Sequence, residues 1–398
     1  MSMSSSSSFF QLHSLPEETT YEIHDDSRDV SHSQFRIRYR SNSIVSGTSE
    51  TSTNFDTLPT IKVIGTGGTI ASKGSTAHQT AGYEVDLTIE DLVHSIPDLS
   101  TTCILEYEQL LNIDSKEFGT KELLMLYEKI QTDLPKYDGI VITHGTDTME
   151  ETAFFLQLTI NTYKPIVMCG SMRPSTAISS DGPMNLYQAC VIAATRESRG
   201  RGVLIALNDR IGSGYYITKS NANSLDTFKS IGQGYVGNFV DNEIHYYYPA
   251  AKPLGMTYFN LQLPLSEVEL PEVPVIYAHQ GLNNKLIEVT VRELNAKGLV
   301  IATMGAGSLS DATNQFLADL VQNIGFPFPI IYAKRSMDGR VPLGALPKVR
   351  NDELSDPQTF DSAIAGGYLN PQKARILLQL CLNDRYDLNE IKKVFKGV

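Results

Sequence analysis

The 398-residue chain has little of what anchors, exports or cross-links a protein. No apolar run reaches the roughly 18 residues a membrane helix requires, and the first residues form neither the basic nor the apolar segment of a secretory leader. No N-x-Ser/Thr sequon occurs. The few cysteines, Cys103, Cys169, Cys190 and Cys381, are scattered in apolar segments, which suits reduced core thiols better than a disulfide frame. Together these absences predict a cytoplasmic protein without a membrane partner. Positive charge is also short, with 33 Lys+Arg against 45 Asp+Glu and a formal net charge of −12. Such a balance repels phosphate backbones, so no nucleic acid is expected as a partner.

Several chemistries are missing as well. The eight histidines include no H-x-x-x-H pair and no two cysteines stand at metal-binding spacing, so neither metal nor other cofactor is expected. There is no G-x-S-x-G elbow. The glycine-rich GTGGTIAS of residues 65–72 follows an apolar strand, as nucleotide loops do. A dinucleotide fingerprint, however, needs glycine where Ile70 stands, and the Gly-Lys-Ser/Thr of a P-loop is absent.

What is present is an α/β pattern. Residues 1–57 are dominated by Ser and Thr with little apolar periodicity, the composition of a disordered tail. Within it the basic QFRIRYR, 34–40, reads as a solvated run or a short docking strand. From Ile61 the apolar strands IKVIG, GIVITH, PIVMCG and GVLIAL alternate with helical patterns near 121–131, 148–159 and 184–196. That alternation predicts a mainly parallel sheet covered by helices. Asp181 and Pro183 mark the start of the third of these helices.

A proline-rich stretch then separates a second alternating set, PVIYAH, a helix over 285–296, GLVIATMG, a helix over 312–322, and PIIYAK. A helix from Pro371, PQKARILLQLCLND, closes the chain. The chain thus divides into a tail (1–57), a larger N-terminal α/β domain (58–250), a linker (251–272) and a smaller C-terminal α/β domain (273–398).

The second glycine turn, in ITHGTDTMEE, places Thr146, Asp147 and Thr148 between a buried strand and a helix. Hydroxyls and acids there have a structural use as helix caps, and Asp147 with Glu150 fits a capping box. They also have a functional one, because ligands of open α/β sheets bind at the carboxyl ends of strands. A threonine hydroxyl is a weak nucleophile without a base or polarising partner. Two candidate partners are Lys219, in the polar segment YYITKSNANS, and Tyr83, beyond a Gly/Ser/Thr-rich stretch that reads as a loop.

Taken together, GTGGTIAS, ITHGTDTMEETAFFL, MRPSTAISSDGPMNLYQA, TKSNANSLDTF and LNPQKARILLQL resemble the bacterial-type L-asparaginases of the asparaginase/glutaminase superfamily, most closely the fungal members. The resemblance runs from about residue 60 to the end. It implies a flavodoxin-like C-terminal domain and a homotetramer built from close dimers. It also implies hydrolysis of L-asparagine through a covalent β-aspartyl ester.

On this resemblance Thr69 matches the first-reacting threonine with Tyr83 as its hydrogen-bonded neighbour, although either threonine remains open as the first to attack. Thr146, Lys219 and Asp147 match the proton-handling group. Ser115 matches the holder of the substrate α-carboxylate, and Asp147 also the holder of its α-amino group. Glu353 matches an acid that completes a neighbouring subunit's site. Lys116 replaces the glutamine of bacterial periplasmic members and is a candidate ion-pair partner for the α-carboxylate. The asparagine that many members use from the C-terminal domain is replaced near Gly281. A related amidase preferring glutamine, one acting on an aminoacyl-tRNA, and a catalytically silent amino-acid sensor are the competing functions; the acidic charge weighs against tRNA.

Overall fold

The computed structural model describes residues 58–97, 99–261, 265, 268, 270–350 and 356–398. The Ser/Thr-rich segment 1–57, including QFRIRYR, and Glu353 lie outside the described residues.

The chain begins with β1 (Thr60–Gly67), β2 (Ser72–Lys73), β3 (Glu84–Val85), α1 (Ile89–His94), β4 (Ile104–Ile113) and α2 (Thr120–Asp133). Next come β5 (Gly139–Thr143), α3 (Met149–Thr159), β6 (Ile166–Cys169), α4 (Gly182–Ala194), β7 (Val203–Leu207) and β8 (Arg210–Ser213). The short strands β9 (Thr218–Lys219) and β10 (Phe228–Lys229) form a separate hairpin, before β11 (Gly237–Val240) and β12 (Glu243–Tyr246). The large sheet has the order β12-β11-β8-β7-β6-β5-β1-β4. Its strands from β4 to β7 are parallel, and β8, β11 and β12 extend it antiparallel.

The second set comprises β13 (Val275–Tyr277), α5 (Asn284–Glu293), β14 (Leu299–Thr303), α6 (Asp311–Gln322), β15 (Ile330–Lys334) and β16 (Ala363–Ala365), then α7 (Pro371–Asn383) and α8 (Leu388–Lys396). Strands β13 to β16 pair in sequential order, all parallel. The expected architecture therefore holds: a larger N-terminal sheet, mainly parallel, and a smaller parallel one after it.

Burial explains why the parallel strands were readable. Strands β5, β6 and β7 are buried along their whole length, as strands covered on both faces are, and so appear as continuous apolar runs. Helices α1 and α4 cover one face of the large sheet, with Leu92, Leu186, Ala189 and Ile192 in that core. On the other face a single apolar cluster contains α2, α3, α7 and α8 together with Val300, Ile331 and Ile364 of the small sheet. Helix α3 is buried on nearly all sides, as a helix between two layers must be. The remaining face of the small sheet packs α5 and α6 through Ile287, Val291, Leu317 and Leu320.

Two expectations are corrected and a third is refined. PQKARILLQLCLND does not close the chain: α8 follows, opened by a capping box in which the Asp387 side chain accepts from Glu390 N–H and the Glu390 carboxylate from Asp387 N–H. Asp181 and Pro183 do mark the start of α4, at the cap position and in the first turn, although the Asp181 side chain makes no cap bond. Its carboxylate instead accepts from the backbone N–H groups of Met172 and Arg173, each at 3.0 Å, and fixes the loop before the helix. Asp147 does not cap α3 either; Thr148 is the residue at the cap position, and no side-chain cap bond forms there. All four cysteines are buried and unpaired, as core thiols should be. No described helix is long and apolar enough to cross a membrane.

The final helix is a substantial part of the core, since Phe395 is 2% exposed within the cluster shared by both sheets. Phe395→Ala should cost about 3–5 kcal/mol, read as a lowered urea midpoint without a changed slope.

Candidate active site

Strands β1 and β5 are neighbours in parallel register, Gly65 beside Thr143, so the loops leaving their carboxyl ends emerge together. The first loop turns through Gly67 (φ 99°) and Gly68 (φ 85°), a left-handed region that side chains strain to adopt. A Cβ on Gly68 would lie 2.3 Å from the Cα of Gly145 in the second loop, so the two backbones touch there. Thr69 and Thr146 are the residues immediately after these two glycines. The contact brings the two glycine turns, each followed by its threonine, together at one place.

Thr69 begins a single 3-10 turn, and its Oγ1 lies 3.0 Å from the Tyr83 hydroxyl. Tyr83 reaches it because the β2–β3 ladder, Ser72 opposite Val85, closes the loop between them. That loop is anchored from outside: Ser175 N–H donates to Ser72 O at 2.9 Å and Ile178 N–H to Ala77 O at 2.8 Å. The Ser175 hydroxyl adds a bond to Ser72 O at 2.8 Å. Gly74 N–H donates to the Thr176 hydroxyl at 2.8 Å.

At the second loop, Thr146 is buried and Lys219 Nζ donates to its Oγ1 at 2.9 Å. The same ammonium lies 2.5 Å from Asp147 Oδ1. The Lys219 side chain is only 14% exposed, unlike an isolated surface charge. Since Lys219 occupies an acceptor position of the Thr146 hydroxyl, that hydroxyl's own hydrogen points elsewhere and is available for transfer. The Asp147 carboxylate remains largely open to solvent.

Ser115 joins them from the end of β4. It is buried, its Oγ accepts from Asp147 N–H at 3.2 Å, and its carbonyl accepts from the Thr148 hydroxyl at 2.9 Å. Lys116 departs from the cluster: its side chain is 66% exposed and its ammonium lies 3.3 Å from Asp114. Gly281, in the turn after β13, has φ 74°, and among the described residues no atom beyond its chain neighbours lies within 4 Å of where a Cβ would sit.

One supporting residue carries no signal in the sequence beyond its place in a motif. His144 is fully buried under the second loop, its Nδ1 2.7 Å from Gly145 O and its Nε2 3.1 Å from the Thr152 hydroxyl. A carbonyl only accepts, so Nδ1 carries the hydrogen and Nε2 accepts from Thr152. A neutral ring, with Nε2 accepting from Thr152, agrees with its burial, which pushes the imidazole down to about 4 against a smaller opposing pull from the Gly145 carbonyl.

A histidine that folds neutral gives stability that is complete above its unfolded value, near 6.5, and is lost as the pH falls toward 4. Wild type should therefore lose about 2 kcal/mol more than His144→Gln between about pH 6.5 and pH 5. Urea midpoints at the two pH values check this, and equal losses would rule it out.

Residues 60–252 match the family model of the asparaginase N-terminal domain, and residues 272–395 that of the glutaminase/asparaginase C-terminal domain. The L-asparaginase 2-3 of Saccharomyces cerevisiae is 49% identical over 343 residues, 86% of this chain and 91% of its own. The L-asparaginase 2 of Escherichia coli is 38% identical over 339 residues, covering 85% and 93%. Among solved structures, a probable cytoplasmic L-asparaginase from Campylobacter jejuni superposes with a TM-score of 0.75 at 34% identity, covering 85% of this chain and all of that one. The order of these identities agrees with the expected likeness to fungal members. With paired threonine loops at the strand ends and both domains matched, the chain belongs to the asparaginase family.

Proposed function

We propose that this protein is an L-asparaginase, hydrolysing L-asparagine to L-aspartate and ammonia. The observation that supports it most is the single ammonium of Lys219 bonded to both Thr146 Oγ1 and Asp147 Oδ1. It stands across a glycine–glycine contact from the Thr69–Tyr83 pair. A nucleophile, a proton relay and an acid for the substrate ammonium are thereby concentrated at the ends of adjacent strands.

In this reading the Thr69 hydroxyl attacks the side-chain amide carbon of asparagine while its proton passes by way of the Tyr83 or Thr146 hydroxyl, each giving up its own as it takes one, with Lys219 remaining an ammonium. The C–N bond then breaks as the nitrogen takes up a proton and leaves as ammonia, with a β-aspartyl ester on Thr69. Water activated by the same group attacks the ester, releases aspartate and returns the proton to Thr69. Asp147 holds the α-ammonium and Ser115 the α-carboxylate. The shared register of the two loops fixes the reacting groups before substrate arrives, which is where an enzyme gains most from positioning. The Ser115 contact to Asp147 N–H supports a common recognition surface for the two substrate charges.

Two attributes from the resemblance belong to the same proposal. Cys103, Cys169, Cys190 and Cys381, buried and unpaired, fit a reducing cytoplasm. The resemblance also brings the homotetramer.

Purified protein should release ammonia from L-asparagine faster than from L-glutamine; the reverse order would make it a glutamine amidase, and no release from either would favour an amino-acid sensor. Thr69→Val and Thr146→Val should each lower kcat by several orders of magnitude with the fold retained. A variant keeping more than about a tenth of wild-type kcat with a native circular dichroism spectrum would remove that threonine from its role.

Lys116 receives no substrate contact in this proposal, because its ammonium is paired with Asp114 at the surface. Lys116→Gln should leave KM for asparagine within about twofold at low and high salt, as exposed ion pairs contribute little. A clear rise at low salt would return Lys116 to the binding site.

A further inference from the structure

Helix α7 packs against the small sheet, yet its first turn reaches the segment of the large domain that delivers Lys219. Lys373, in that turn, is 2% exposed. A cation at the N-terminal end of a helix faces the positive end of the helix dipole, and burial adds a desolvation cost. The position is electrostatically poor unless other groups compensate.

The compensation comes from across the domain boundary. Lys373 Nζ donates to Ile217 O at 2.6 Å and Tyr215 O at 2.8 Å, and reaches Gly214 O at 3.5 Å. These carbonyls belong to the turn immediately before β9, whose second residue is Lys219. Beside Lys373, Asn370 Nδ2 donates to Glu150 Oε2 at 2.9 Å and approaches the Thr218 hydroxyl at 3.4 Å. Gln372 Nε2 lies 3.3 Å from Glu150 Oε1. Glu150 is buried in the first turn of α3, three residues after Asp147. One helix turn therefore grips both the strand that carries Lys219 and the helix start that follows Thr146 and Asp147.

We propose that Lys373 is a positioning residue: the first turn of α7 sets the distance between Lys219 and the Thr146–Asp147 pair by holding the 214–217 carbonyls on one side and Glu150 on the other. Three donors are needed for three carbonyls, which only the ammonium form supplies. Burial lowers Lys373 to about 8, opposed by Glu150 and Glu151 of α3 and reinforced by Lys334 of β15. The group is thus mainly charged at neutral pH. It touches none of the reacting groups described above and acts through the backbone.

The inference rests on the asparaginase reading only for its kinetic test. Lys373→Met keeps the length of the side chain and removes all three donors. Its kcat for asparagine should fall about 10- to 100-fold while KM stays within about threefold, because the threonine loops and Ser115 are held by other contacts. A crystal structure of the variant gives a readout independent of turnover: Lys219 Nζ should no longer lie within hydrogen-bond distance of Thr146 Oγ1. Should Lys373→Met fail to fold, Glu150→Gln carries the same two measurements from the opposite side of the grip, with a loss of about 3- to 10-fold in kcat. A folded variant that keeps wild-type kcat, or keeps the Lys219–Thr146 contact unchanged, overturns the proposal. Failure of wild type to act on asparagine would overturn the functional reading alone, leaving the crystallographic result to decide this one.

Discussion

Two glycines leave no room for a side chain between the loops that carry Thr69 and Thr146, and the site depends on that contact. A Cβ at Gly68 would overlap the Gly145 backbone, while one at Gly145 would lie 2.6 Å from the Ser115 hydroxyl oxygen. Three loops, from β1, β4 and β5, are thereby held at closest approach at the carboxyl ends of their strands. The parallel register of β1 with both β4 and β5 makes the approach possible, because all three strands end on the same side of the sheet. Glycine here is a packing requirement as much as a conformational one.

Charge is distributed around this contact with economy. Lys219 serves two acceptors at once, whereas His144 is kept neutral beneath the loop so that it donates to Gly145 O and accepts from Thr152. A cationic imidazole there would have to donate from both nitrogens and would lose its solvation within a buried pocket. The two basic residues meet different surroundings, a carboxylate and a hydroxyl at Lys219 and a carbonyl and a hydroxyl at His144. Electrostatic roles in the site follow from what each ring or ammonium meets, and residue type alone does not reveal them.

Much of this was legible in the sequence where burial is two-sided. β5, β6, β7, β14 and β15 appear as unbroken apolar runs because helices cover both faces. β4 is harder to read because it lies at the sheet edge with seven of its ten residues half-buried and the rest exposed, which blurs both alternation and continuity. β8, β11 and β12 are short and antiparallel, with four residues each and little apolar signal. Helix α8 carries its capping signature in D-L-N-E at 387–390, but the preceding helix reads as the end of the chain and conceals it. At the site, Thr69, Tyr83, Ser115, Thr146, Asp147 and Lys219 were named from motifs, but His144 and Lys373 were not. Their partners are backbone carbonyls brought together by the fold, and a carbonyl has no residue type to read.

The segment LNPQKARILLQL shows how motif and structure divide the explanation. Its apolar residues, Ile376, Leu377, Leu378 and Leu380, belong to the core shared by the two sheets, which accounts for the helical spacing. Its polar residues at the amino end, Asn370, Gln372 and Lys373, face the large domain and bond to Glu150, Thr218 and the 214–217 turn. Apolar burial can hold two layers together over a range of small displacements, since it has little directional preference. Hydrogen bonds to fixed carbonyls restrict that range because their geometry is narrow. The second domain thus does more than cover the first. Its apolar half supplies adhesion, its polar half supplies register, and the placement of Lys219 beside Thr146 requires both.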